Sequence, residues 1–251
     1  MRPREPKGNA DTRRHRDRKK GRPTFYMVRY ADDFVVLVEG TREQAEAEKL
    51  ALAEFLKTEL RMELSMEKTK ITSTKEGIDF LGYRVVQARA SQTGHWVGKF
   101  FIPKNKLNDL RHKIKVTVGE TPTGKSLATV IDKLNPILLG WRNYYRYATK
   151  AYRDFDHLDY WIGARVGRWL RKKHREASWR ELRRRYLLNV RGQRRRWAEG
   201  PKRLRFLCEG GTMRYPHRSI EKPNGWNDDM KYWQDKNLQD FWEAFNRLRY
   251  D

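Results

Sequence analysis

The feature that most constrains the fold is a change of period at Pro103. Upstream, short β-rich runs alternate with turn signals. Downstream, apolar residues recur every three or four positions. Strand-like and helix-like stretches separated in this way read as α+β. The first runs, Phe25 to Tyr30 and Phe34 to Val38, flank Ala31-Asp32-Asp33 and predict an antiparallel hairpin that Gly40 ends. Thr41 with Gln44 fits a capping box, and Ala45, Leu52, Phe55, Leu56 and Leu60 continue at helical spacing. Short strands are expected over Met62 to Leu64, Thr69 to Ser73, Phe80 to Val86 and Gly94 to Ile102.

Beyond Pro103, Leu107, Leu110 and Ile114 share one helix face, and Gly119 to Gly124 reads as a loop. Ser126 can cap a second helix carrying Leu127, Val130, Ile131, Leu134, Leu138 and Trp141, with a kink expected at Pro136. A third helix fits Leu158 to His174, and Ser178 with Glu181 forms another capping box. Residues 237–248 carry a further apolar stripe.

Charge separates the chain in a second way. Residues 25–99 hold 11 Lys and Arg against 12 Asp and Glu, whereas residues 153–205 hold 18 against 6. The whole chain carries +24 over 251 residues. A near-neutral block followed by a very basic one, interleaved with Trp and Tyr, points to a polyanion, most simply nucleic acid. The plainer reading is a solvated charged face. The single cysteine, Cys208, excludes a disulfide framework or a cysteine-rich zinc module within the sequence. No apolar run reaches the roughly eighteen residues of a membrane span, so no membrane role is expected. The Arg-rich start lacks the apolar stretch of a secretory signal. A reducing, cytoplasmic setting is the default expectation.

Against that basic background, "VRYADDFVVL" (Val28 to Leu37) places two adjacent acids between apolar runs. Asp favours turns, which is the plain reading. Yet a two-residue hairpin loop prefers Asn-Gly or Asp-Gly, and neighbouring carboxylates repel unless a cation lies between them. A hard, oxygen-seeking ion such as magnesium suits such a pair. Spacing alone leaves turn and metal site open.

The motifs in order resolve that choice. "YADD" between two strands resembles the palm motif of reverse transcriptases. "LSMEKTKI" (Leu64 to Ile71) and "DFLGYRV" (Asp79 to Val85) resemble the next two palm blocks of group II intron reverse transcriptases. "LNPILLGWRNYYR" (Leu134 to Arg146) and "LDYWIGARVGRWLRKKH" (Leu158 to His174) resemble the maturase-specific domain X. Four blocks in family order over residues 25–186 make a specific match.

The resemblance implies a role for each matched residue. Asp32 would bind catalytic magnesium, with Asp33 as the second acid, and Lys68 would lie near nucleotide phosphates. Tyr30 and Ala31 would contact the primer end and the incoming sugar. Phe80, Leu81, Gly82 and Tyr83 match the primer grip, with Gly82 allowing a nucleic-acid backbone to approach or marking a bulge. In domain X, Arg142, Tyr145, Arg146, Arg171, Lys172 and Lys173 would meet RNA. For Trp141 and one of the neighbouring tyrosines, helical spacing favours core over RNA.

The sequence also departs from the family. The third catalytic Asp comes from an earlier strand, and here only Asp11 and Asp17 precede the hairpin. The expected organisation is a basic disordered arm (1–24), the C-terminal part of a palm (25–103), a helical thumb or maturase domain (104–186) and a small mixed nucleic-acid-contacting region (187–251). The expected function is that of a truncated or split group II intron reverse transcriptase/maturase, binding intron RNA, promoting splicing and contributing half of an RNA-directed DNA polymerase site. Target DNA, an N-terminal half or a homodimer partner would complete the particle. A stand-alone RNA-binding splicing factor, with the acid pair a relic, or an inactive fragment are the rival readings.

Overall fold

A computed structural model describes residues 15–189 and 194–213. The stripe at 237–248 and the first fourteen residues lie outside these. The chain divides into two compact units, residues 1–64 with 216–251, and residues 65–215.

In the first unit, α1 (helical over 15–19) precedes β1 (Thr24–Tyr30), β2 (Asp33–Glu39) and α2 (Arg42–Leu60). Helix and strand therefore occupy part of the stretch expected to be a disordered arm. β1 and β2 pair antiparallel, with Tyr30 opposite Asp33, so the turn is the two residues Ala31 and Asp32. The Thr41 capping box forms: its hydroxyl accepts from the Gln44 amide while the Gln44 side chain accepts from the Thr41 amide. Burial is sparse. Thr24 is the one buried residue among those described here, α2 buries none, and Met27 (58 %) and Tyr30 (65 %) are largely exposed. A two-stranded hairpin with so little burial is marginal by itself.

The second unit holds the core. It opens with a three-stranded antiparallel meander, β3 (Ile78–Phe80), β4 (Tyr83–Arg89) and β5 (Trp96–Phe101). The strands expected over 62–64 and 69–73 are absent; those residues are irregular or turns. Strand propensity alone does not make these residues pair into a ladder. The expected strand at 80–86 is instead a hairpin. Leu81 and Gly82 both have positive φ (46° and 71°), the requirement of a tight two-residue turn.

Four helices follow: α3 (Lys104–Gly119), α4 (Leu127–Tyr145), α5 (Ala151–Lys173) and α6 (Trp179–Tyr186). Both expected caps form, Ser126 accepting from Thr129 and Ser178 from Glu181. α4 runs through Pro136 as one helix. α5 begins seven residues before Leu158, because Ala151 and Phe155 already belong to its buried stripe. Ile114, Leu127, Ile131, Leu134, Leu158, Ile162 and Leu170 are essentially inaccessible and form the centre. Among the described residues no helix is long and apolar enough to cross a membrane.

The stretch after α6 completes this core. It forms β6 (Leu187–Leu188), β7 (Arg196–Glu199) and β8 (Lys202–Arg203), and buries Trp197, Leu204 and Leu207. Gly163 and Gly167 open a groove on α5. Trp197 Nε1 donates to the Gly163 carbonyl at 2.7 Å, and a Cβ on Gly167 would come within 3.0 Å of the Trp197 ring. The Asn135 side chain meets the backbone at both ends, donating to the Arg203 carbonyl and accepting from the Arg205 amide, each at 2.9 Å. Glu199 accepts from the Ala128 amide at the first turn of α4 (2.8 Å).

Asp159 fastens the next turn. Its carboxylate accepts from the Leu207 amide at 2.7 Å and the Cys208 amide at 3.0 Å. Burial pushes its pKa up, against the opposing pull of those two amides. Burial, with Asp159 beside it, also pushes the Cys208 thiol up to about 12, so it stays protonated and unreactive at neutral pH. Asp159→Ala would orphan both amides and should cost about 2–4 kcal/mol, read as a lower urea midpoint with faster hydrogen exchange at Leu207 and Cys208. Because the folded pKa is raised, the carboxyl's contribution is greatest below the ordinary aspartate value and declines as pH rises through the folded one. Asp159→Asn should flatten that decline.

Candidate functional site

The acid pair sits where its turn chemistry puts it. Ala31 adopts the left-handed conformation at φ 49°, costly for a residue with a Cβ by roughly 1–2 kcal/mol. The Arg29 side chain donates to the Ala31 carbonyl at 2.8 Å and secures the turn. Asp32 and Asp33 are both exposed, one in the turn and one opening β2. No cluster of three metal-ligating side chains occurs among the described residues. Two exposed carboxylates nevertheless fit magnesium as that ion is commonly held, by one or two carboxylates with water and substrate phosphates filling the remaining positions. Lys68 is exposed in a turn of the second unit, its amide donating to Ser65 Oγ at 3.4 Å.

The segment matching the primer grip is built into the second unit. Leu81 and Gly82 form the β3–β4 turn, and the last turn of α4 holds it from below. Tyr144 Oη donates to the Leu81 carbonyl at 2.5 Å and Tyr145 Oη to the Gly82 carbonyl at 3.3 Å. Tyr83 Oη returns a bond to the Tyr144 carbonyl and its ring stacks on Tyr144 with centroids 5.4 Å apart. Burial and the neighbouring tyrosines push the Tyr83 hydroxyl up to about 12, so it remains a donor across the neutral range. The close approach that Gly82 allows is therefore made by tyrosine hydroxyls: a Cβ there would meet Tyr145 Oη at 3.4 Å and Tyr144 Oη at 3.5 Å.

This arrangement sets several of the expected RNA contacts within the protein's own packing. Tyr145 is buried at 5 % exposure and serves the turn, with Trp141 packed against it at 4.6 Å. Trp141 also meets Phe155, in keeping with its reading as core. Arg142 is buried rather than presented, at 8 % exposure. Arg146 is half-buried, its guanidinium bonded to Tyr147 Oη at 2.8 Å. Lys173 is engaged with protein, donating to the carbonyls of Thr123 and Lys125 at 2.9 Å each, which ties α5 to the α3–α4 loop. Helical position alone could not reveal the partners of Tyr145 and Lys173, which come from distant sequence, whereas Arg146 is met by its neighbour Tyr147.

Arg171 and Lys172 are exposed as expected, and they end a longer stripe. Arg153, His157, Tyr160, Ala164, Arg168 and Arg171 are all exposed on α5 at intervals of three or four, so they share one face. Tyr160 stands out at 79 % exposure, an open ring between cations. Arg180, Arg183, Arg184 and Arg185 extend exposed positive charge onto α6, whose only buried residues are Leu182 and Tyr186. Such a mixture of spaced guanidiniums and an exposed ring suits a phosphate backbone with accessible bases. The signal was present in the sequence as the polar complement of the α5 apolar stripe, though only its last three residues were singled out.

Comparison with known proteins assigns two consecutive regions. Residues 12–85 match the family described as reverse transcriptase (RNA-dependent DNA polymerase), and residues 107–187 match the group II intron, maturase-specific domain. The protein YkfC of Escherichia coli (strain K12) is 41% identical over 69 residues, 28% of this chain and 18% of that protein. The group II intron-encoded protein LtrA of Lactococcus lactis subsp. cremoris is 43% identical over 81 residues, 32% of this chain and 13% of its own length. A putative COX1/OXI3 intron 2 protein of Saccharomyces cerevisiae (strain ATCC 204508 / S288c) is 42% identical over 60 residues, 24% of this chain and 7% of its own. The aligned stretches thus span less than a fifth of each of these relatives.

The tyrosine clamp is open to direct measurement. Tyr144→Phe with Tyr145→Phe should remove about 1 kcal/mol per lost bond. Gly82→Ala should cost at least as much, since it strains a φ of +71°. Urea unfolding of the full chain measures both.

Proposed function

We propose that the chain, which matches the reverse transcriptase family over residues 12–85 and the group II intron maturase-specific domain over residues 107–187, is a group II intron-type reverse transcriptase/maturase that binds structured intron RNA through its second unit and supports splicing of that RNA. The observation that carries the reading is the exposed cationic face of α5 and α6, which lies within the region matching the maturase-specific domain. Catalysis of splicing belongs to the RNA in this reading. The protein neutralises phosphates and fixes helices in place. The α5 face, from Arg153 to Arg171, is about 27 Å long at the usual helical rise, enough to follow several nucleotides.

The acid pair has a separate role in this proposal. Asp32 and Asp33 contribute carboxylates to an RNA-directed DNA polymerase site, with Tyr30, Ala31 and Lys68 near the primer end and nucleotide. Magnesium held there would neutralise phosphate charge during nucleotidyl transfer. The setting proposed is a cytoplasmic ribonucleoprotein, with target DNA as a further ligand.

Intron RNA binding should weaken steeply with salt as counterions are released. Arg168→Ala with Arg171→Ala should lower affinity and reduce the salt slope by roughly one to two, with folding unchanged by circular dichroism. A salt-independent affinity would remove the RNA reading. Primer extension, assayed with and without an added reverse transcriptase segment, should be abolished by Asp32→Ala while RNA binding stays near wild type. Extension that survives Asp32→Ala would show that this carboxylate has no part in the chemistry.

A further inference from the structure

We propose that the C-terminal end of α4 is a phosphate site, formed by Arg142, Arg146 and Arg205 beside the 206–211 loop, which takes a phosphodiester of the bound RNA. This deepens the RNA-binding reading and rests on it for the source of the phosphate.

The site begins with guanidinium groups that protein leaves incompletely satisfied. Arg142 is more than nine-tenths buried, and its Nε has no hydrogen-bond partner among the described residues. Nη1 reaches only the Asn143 side chain, at 3.3 Å. Nη2 lies against Gly210, where an added Cβ would come within 2.3 Å. Arg146, one turn on, has a buried Nε that is likewise without a partner. Burial and the like charges of Arg146 and Arg205 lower the Arg142 pKa, against the opposing pull of Glu209.

The carboxylates nearby are already engaged. Glu209 gives one oxygen to Arg196 at 3.0 Å and the other to the Phe206 amide at 3.3 Å. Asp159 spends both oxygens on the Leu207 and Cys208 amides. The helix C-terminus supplies about half a negative charge, which three guanidiniums must share. Burying a guanidinium beside two like charges is costly unless an anion completes the group. A phosphate can accept from two or three guanidiniums at once, and the fork geometry of arginine favours it. Arg205 is exposed, and the same loop is anchored to α4 through the Arg205 amide on Asn135. The site is separate from the α5 stripe and supplies a fixed contact where that stripe supplies a track.

The test uses the full chain and two probes. Inorganic phosphate is titrated against chloride at constant ionic strength, with melting temperature as the readout. Intron RNA is titrated across a salt series. Phosphate should raise the melting temperature of the wild type, and Arg205→Gln, an exposed change, should abolish the rise without lowering the phosphate-free value. Arg146→Gln should act likewise. Each should weaken RNA binding by about tenfold, whereas Lys115→Gln on exposed α3 should change it far less. The absence of a phosphate-specific rise, or variants no weaker on RNA than Lys115→Gln, would overturn the site while leaving RNA binding intact. A phosphate response that depends on Arg205 in a chain that fails to bind intron RNA would overturn the RNA source and the proposed function with it.

Discussion

The larger unit depends on α4 being satisfied on every side at once. Its apolar stripe from Leu127 to Leu138 supplies the centre of the core. Its first turn is capped by Ser126 and, across 71 residues of sequence, by Glu199. Midway, Asn135 serves as a substitute strand edge for residues 203–205. Its last turn grips the β3–β4 hairpin through Tyr144 and Tyr145, while the Arg146 carbonyl accepts from Met213. One helix therefore fastens a sheet, a bundle and an extended segment, and each of these alone would bury too little apolar surface to persist.

Local features were legible in the sequence. Three caps, at Thr41, Ser126 and Ser178, depend on residues within four positions and formed as read. The apolar stripes of α3, α4 and α5 also follow from spacing alone. What sequence could not show is which polar residues are consumed internally. Tyr145 sits in a cation-rich, aromatic motif and looks like a ligand contact, but its hydroxyl donates to the carbonyl of Gly82, distant in sequence. Asp159 gave no signal, since a carboxylate on a helix looks solvated until Leu207 and Cys208 arrive beneath it. Residues 62–64 and 69–73 failed for the opposite reason: they have strand propensity but form no ladder.

The acid pair presents the reverse problem. Its chemistry is plain from the motif, and the turn places both carboxylates in the open. Its surroundings are sparse, since the hairpin and α2 bury almost nothing among the described residues. A polymerase centre needs its carboxylates held rigidly, because a small displacement of a reacting group costs orders of magnitude in rate. The first unit thus carries the exposed acid pair, and the second carries the buried core.

The Leu81-Gly82 turn and the Tyr144-Tyr145 pair bind each other through backbone carbonyls on one side and hydroxyls on the other. Backbone carbonyls are indifferent to the side chains that flank them, whereas the hydroxyls are not. Evolutionary drift should therefore be lopsided across this contact. Leu81 can be exchanged for residues that tolerate its left-handed backbone, but insertions in the turn and loss of either tyrosine would be selected against together. In a lineage that abandoned reverse transcription and kept RNA binding, this contact would outlast the acid pair, since the fold of the retained unit still requires it.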